Sequence, residues 1–158
     1  MKKIILFCLM CLFFFNCKKD SSQGLYFSNI NSYEELAEQL KKAITNDSDD
    51  EYFLKAINLI RITQNRCGDR FFVPIEEINI CTTLKEKLNE YKEQIIAGEE
   101  VTQSEGYYIL TELSGKNLAR EQVMQIWYEN CDYRAKIKAN VKKMAVAKFE
   151  KNWILILK

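Results

Sequence analysis

Ser32 with Glu35, Thr83 with Glu86, and Thr102 with Glu105 each set a Ser or Thr three residues ahead of a Glu at the edge of an apolar stretch of the 158-residue chain. Such a pair satisfies two of the N–H groups that a helix start leaves bare, so each one predicts a helix N-terminus. After Ser32, the residues Tyr33, Leu36, Ala37, Leu40 and Ile44 recur at helical spacing and predict a first helix over about 33–45. The acids of NDSDD, 46–50, suit the positive end of a second helix over about 50–66, which is apolar on most sides and so reads as the central element. Thr83 opens a third helix, with Leu84, Leu88, Tyr91 and Ile95 on one stripe and Gly98 as its stop. Thr102 opens a short fourth ending near Gly115, and Asn117 caps a fifth through Ala119, Val123, Ile126 and Trp127.

After Asp132 the period changes from helical to alternating. Ala135, Ile137, Ala139 and Val141 interleave with Lys136, Lys138, Asn140 and Lys142, the pattern of a strand with one core face and one solvent face. Met144–Phe149 and Trp153–Leu157 predict two further strands around the turn Glu150-Lys151-Asn152. The expected fold class is α+β, with about five α-helices followed by a C-terminal antiparallel β-hairpin or meander. An all-α chain is the alternative, because Ala and Lys also favour helices.

The N-terminus carries a different message. Lys2 and Lys3 precede twelve apolar residues, Ile4–Phe15, which is the pattern of a secretory leader. A spanning helix needs about 20 apolar residues to cross roughly 30 Å of hydrocarbon, and this run stops short at Asn16 and the charged Lys18, Lys19 and Asp20. A Cys at that boundary, Cys17, resembles the lipobox of bacterial lipoproteins, although Phe14, Phe15 and Asn16 stand where the family usually has a small residue before the Cys. The resemblance covers residues 1 to about 20. It implies cleavage before Cys17, acylation of that residue, and a membrane partner reached through a lipid anchor in the bacterial cell envelope. Lys18 in place of Asp at the following position favours the outer membrane by the family's sorting rule. An uncleaved anchor or a cleavage further along are the competing readings. The chain then divides into a leader, 1–16, a lipid-anchored tether, 17–31, and one globular domain, 32–158.

Export changes how the other cysteines are read. Cys8 and Cys11 lie inside the leader, which leaves Cys67, Cys81 and Cys131 to meet an oxidising compartment. Cys67 and Cys81 are the expected disulfide pair, being separated by a short loop between two predicted helices. Three reduced, buried thiols are the alternative.

The chain contains no histidine, which excludes within it Ser-His-Asp and Cys-His machinery and every imidazole zinc site. No phosphate-cradling glycine motif occurs, and neither a metal site nor a cofactor is expected. The paired acids Glu34-Glu35, Glu76-Glu77 and Glu99-Glu100 are the remaining acid–base candidates, but adjacency in sequence does not place two carboxyls across a cleft. The acids Asp47, Asp49, Asp50 and Glu51 lack calcium-loop spacing and read as a capped turn.

Charge is unevenly placed. Residues 20–132 carry 21 acids against 11 bases, and residues 133–158 one acid against eight bases. With Tyr128 and Tyr133 beside this basic tail, the expected contact set is Tyr128, Tyr133, Lys136, Lys138 and Lys142, facing a protein or another acidic component of the envelope. Lysines that satisfy the domain's own sheet and acids are the competing reading. Nucleic acid is not an expected partner, since the basic stretch holds no recognised binding motif. The functional expectation is therefore a lipid-anchored envelope protein acting as a non-enzymatic binding module. A carboxylate-dependent glycan hydrolase, or an inhibitor of an envelope-acting toxin, is the alternative.

Overall fold

The computed structural model describes residues 29–44, 46–102 and 105–158; the leader, Cys17 and the tether up to residue 28 lie outside them. The chain forms α1 (Tyr33–Ala43), α2 (Asp49–Ile62), β1 (Asn65–Cys67), β2 (Arg70–Phe72) and β3 (Asn79–Ile80). It continues with α3 (Thr82–Glu90), α4 (Lys92–Ala97), β4 (Tyr108–Glu112), α5 (Arg120–Glu129), α6 (Cys131–Ile137), β5 (Lys143–Phe149) and β6 (Asn152–Leu157). Strands β1 and β2 pair as a separate hairpin, and the main sheet runs β3-β5-β6-β4.

Strand β6 organises the molecule. It is antiparallel to β5 on one side and to β4 on the other, while β3 adds to β5 in parallel. All six of its residues are buried. Trp153, Leu155 and Leu157 enter one apolar cluster with the helices α1, α2, α5 and α6. Ile154 and Ile156 enter a second, with Leu84 and Leu88 of α3 and Ile95 of α4. A strand covered on both faces reads as an unbroken apolar run, which is why the sequence shows no alternation here. At the centre of the first cluster Phe53 lies with its ring centroid 5.3 Å from those of Trp127 and Trp153.

Mixed helix and sheet is what the chain adopts, but strands are interleaved among the helices rather than gathered at the end. The expected fourth helix is replaced by β4. Gly106, at φ 79°, interrupts any helix begun at Thr102, and the Tyr108-Ile109-Leu110 run then buries Ile109 and Leu110 in opposite clusters. The expected strand over 135–142 is a helix through Ile137, started by Asn130, whose side chain accepts from the N–H groups of Asp132 and Tyr133. Helix α2 stops at Ile62 instead of about residue 66, because Asn65–Cys67 turns back on β2 around Gly68 at φ 59°.

The helix starts also differ. Ser32 accepts from the Glu35 N–H as anticipated. A full capping box forms at Ser48 and Glu51, which the acidic run obscures. Helix α3 begins at Thr82 after Cys81, with no side-chain cap. Ile30, at the end of the expected tether, is fully buried, and its carbonyl accepts from the Tyr128 hydroxyl at 3.0 Å.

The cysteines pair differently from the expectation. Cys67 is bonded to Cys131, and Cys81 is a free thiol. The segment between Cys67 and Cys81 runs through β2 and β3, carrying Cys81 to the start of α3, whereas β1 lies against the start of α6.

Candidate functional site

Helix α2 ends at Ile62 and α6 at Ile137, and the last carbonyls of any helix lack intrahelical donors. Here each helix supplies a cation to the other's end. Arg61 Nε donates to the Glu76 carbonyl at 2.7 Å, and its terminal nitrogens donate to the carbonyls of Ile137, of Ala139 at 3.0 Å and of Val141 at 2.9 Å. Lys138 Nζ donates to the carbonyls of Arg61 at 2.9 Å, Thr63 at 2.6 Å and Val73 at 2.9 Å. Positive charge at the negative ends of two helix dipoles is favourable, so this exchange satisfies the carbonyls and locks α2 to α6.

A third wall comes from the extended segment after β2. Asn58 holds it by both amide atoms, Nδ2 donating to the Ile78 carbonyl at 3.0 Å and Oδ1 accepting from the Ile78 N–H at 2.8 Å. The Ile75 N–H adds a bond to the Arg61 carbonyl at 2.8 Å. Between these walls opens a cleft of about 370 Å³ lined by Arg61, Ile75, Glu76, Lys138, Asn140 and Lys142.

Three cations meet one carboxylate in this cleft. Burial pushes the Lys138 ammonium down to about 8, with the charges of Arg61 and Arg134 acting in the same direction. Burial also lowers Arg61. The hydrogen bond from Lys142 holds the Glu76 carboxyl below its usual value, helped by the charges of Lys142 and then Arg61. Lys138 spends all three of its hydrogens on carbonyls, so it offers a fixed charge rather than a nucleophilic amine. Lys142 is different: its side chain is 61% exposed and its ion pair with Glu76 stands in solvent, where such a pair is readily exchanged. The chemistry on offer is anion binding, with Lys142 as the exposed contact over a fixed cationic floor.

The expected contact set is therefore divided. Tyr128 is 1% exposed and lies under the Arg134 guanidinium, 3.7 Å from its ring centroid, so it is a core residue rather than a surface anchor. Tyr133 is half-buried and its hydroxyl donates to the Thr111 carbonyl at 3.4 Å. Lys136 reaches the Ile109 carbonyl at 3.0 Å. Only Lys138 and Lys142 come together, at the cleft. Arg61 was the residue missed, though its signal was present: it stands four residues after Ile57 and eight after Phe53, on the buried stripe of an apolar helix.

Of the paired-acid candidates Glu76 alone reaches the cleft, as the partner of Lys142. Glu34, Glu35, Glu76, Glu77, Glu99 and Glu100 are all exposed, and none of them forms a desolvated pair. Asp47 pairs with Lys55 at 2.6 Å, Asp49 with Arg120 at 3.4 Å and Asp50 with Lys85, which uses these acids as helix-end contacts. Among the described residues no group of three or more potential ligands could hold a metal ion, and no helix is long and apolar enough to cross a membrane. Comparison of the chain with protein-family models, with curated proteins and with solved structures finds no match in any of the three.

Proposed function

We propose that this chain is a lipid-anchored protein of the bacterial cell envelope whose domain is a non-enzymatic binding module, taking acidic groups of a protein partner at the Arg61–Lys138–Lys142 cleft. The observation that carries the reading is the surplus of cations around that cleft, two of them fixed by backbone carbonyls and one exposed. Cys17, at the end of the apolar leader, supports the anchor, and the outer membrane is the favoured location. A disulfide between Cys67 and Cys131 agrees with an oxidising compartment. The hydrolase alternative needs a carboxyl pair across a cleft with one member desolvated, and the exposed paired acids do not support it.

The test is co-purification from detergent-solubilised membranes with the full-length chain as bait. Charge reversal belongs at Lys142 alone, because Lys136 and Lys138 hold backbone carbonyls and their loss would disturb the fold. Lys142→Glu is expected to weaken capture of the partner at least about tenfold, roughly 1.4 kcal/mol. Recovery of the chain alone, or capture unchanged by Lys142→Glu, would contradict the proposal.

A further inference from the structure

The hairpin β1–β2 has one tied face and one bare face. Asn65 and Cys67 point inward, and the bond from Cys67 to Cys131 fastens that side to α6. Arg66 and Phe71 are partners in the ladder and share the outer face, and Val73 follows directly after the last residue of β2. Phe71 is 56% exposed and Val73 59%, the most exposed large apolar side chains among the described residues. The third, Ile126 at 37%, stands by itself on α5.

The position of this bare face relative to the chain's entry is informative. Asn29 bridges Gln64 in parallel and the Ile30 N–H bonds to the Gln64 carbonyl at 3.0 Å, so the chain comes in immediately beside β1. Strand β2 lies on the other side of β1, which places Phe71 and Val73 within two strand spacings, roughly 10 Å, of the entry point. Twelve residues separate Cys17 from Asn29, a length that reaches at most about 40 Å. Because a domain of this size has a radius of gyration of about 14 Å, turning its opposite side toward the anchor consumes most of that reach. The face beside the entry meets the lipid with no such demand.

We infer that the outer face of the β1–β2 hairpin, Phe71 and Val73 with Arg66, rests on the lipid surface to which the chain is anchored. Two apolar side chains beside Arg66, whose ion pair with Asp69 at 3.9 Å stands in solvent and is readily exchanged, suit the boundary between acyl chains and headgroups, where amphipathic faces bind. The disulfide to α6 passes this orientation to the domain, and the cationic cleft follows: the Val73 carbonyl that accepts from Lys138 ties the segment just after β2 to it. The inference rests on the anchored reading of Cys17.

The test uses the full-length chain extracted with its anchor and reconstituted into vesicles of phosphatidylethanolamine and phosphatidylglycerol carrying brominated acyl chains. Native Trp127 and Trp153 are 0% and 2% exposed, so they form a constant, unquenched background. Phe71→Trp and Val73→Trp are each expected to shift their added emission to the blue and to lose most of it to the brominated chains, whereas Ile126→Trp keeps its own. Quenching equal at all three positions, or absent at both 71 and 73 in protein that floats with the vesicles, would overturn the inference and leave the anchor standing. Wild-type protein that fails to float would overturn the anchor and the inference together.

Discussion

Arg61→Met is expected to lower stability by about 3–5 kcal/mol, because four carbonyls lose a charged donor, each such hydrogen bond contributing about 1.5–3 kcal/mol before water recovers part of it. The side chain is 2% exposed and serves four carbonyls on two segments, so truncating its donors leaves the end of α6 and the cleft wall without partners. Arg61→Lys should fall most of the way with it, since a single ammonium cannot reach carbonyls spread around a planar guanidinium. Urea unfolding followed by tryptophan fluorescence reads the effect, because Trp127 and Trp153 are both in the core. Lys142→Met serves as the control and should leave the midpoint where it is. An Arg61→Met midpoint equal to the wild type would mean that the reciprocal capping of α2 and α6 contributes nothing.

The second large effect belongs to the disulfide. Cys67 and Cys131 are separated by 64 residues, and closing a loop of that length restricts the unfolded chain by about 4 kcal/mol in the chain-entropy treatment. Paired Cys67→Ser and Cys131→Ser substitutions should cost that amount, and reductant should bring the wild type to the same midpoint. Cys81→Ser should cost little and abolish the one free thiol that a labelling reagent finds in the folded domain. A non-reducing peptide map joining Cys67 to Cys81 would contradict the structure.

The differences between sequence expectation and structure share a physical cause: local pattern was overridden by a partner distant in sequence. The first helix was legible because Ser32 capping and the Leu36–Leu40 stripe are local features, and both survive folding. At Thr102 the local signal pointed to a helix, yet β4 gains a full antiparallel register with β6 from Tyr108↔Leu157 to Glu112↔Trp153. The lysine alternation at 136–142 looked like a solvated strand face because the carbonyls that Lys136 and Lys138 reach lie on residues 61 to 109. No spacing rule within the tail reveals those acceptors. The disulfide misled in the same way, since the shorter loop was preferred and the extended course of residues 70–80 was not visible.

The candidate site was legible only at its rim. Lys138 and Lys142 stand out by charge, while Arg61 lies within an apolar helix and Glu76 within a pair of acids, so neither is marked by its neighbours. What joins these four is the meeting of two helix C-termini, a tertiary event. Much of the tail's excess of bases is used within the domain itself, through Lys136, Lys138, Lys148 on Asn117 and Lys158 on Tyr107, while Lys142 meets Glu76 at the exposed rim where the proposed partner would bind.

The proposed envelope location and the proposed lipid-facing hairpin both depend on the chain being held at a membrane by Cys17. Growth of the producing cells with a radiolabelled fatty acid, followed by recovery of the full-length chain, measures that attachment directly. The account predicts label on the wild type and none on Cys17→Ser, with the variant released from the membrane fraction or held at the leader; label retained undiminished by Cys17→Ser would contradict it.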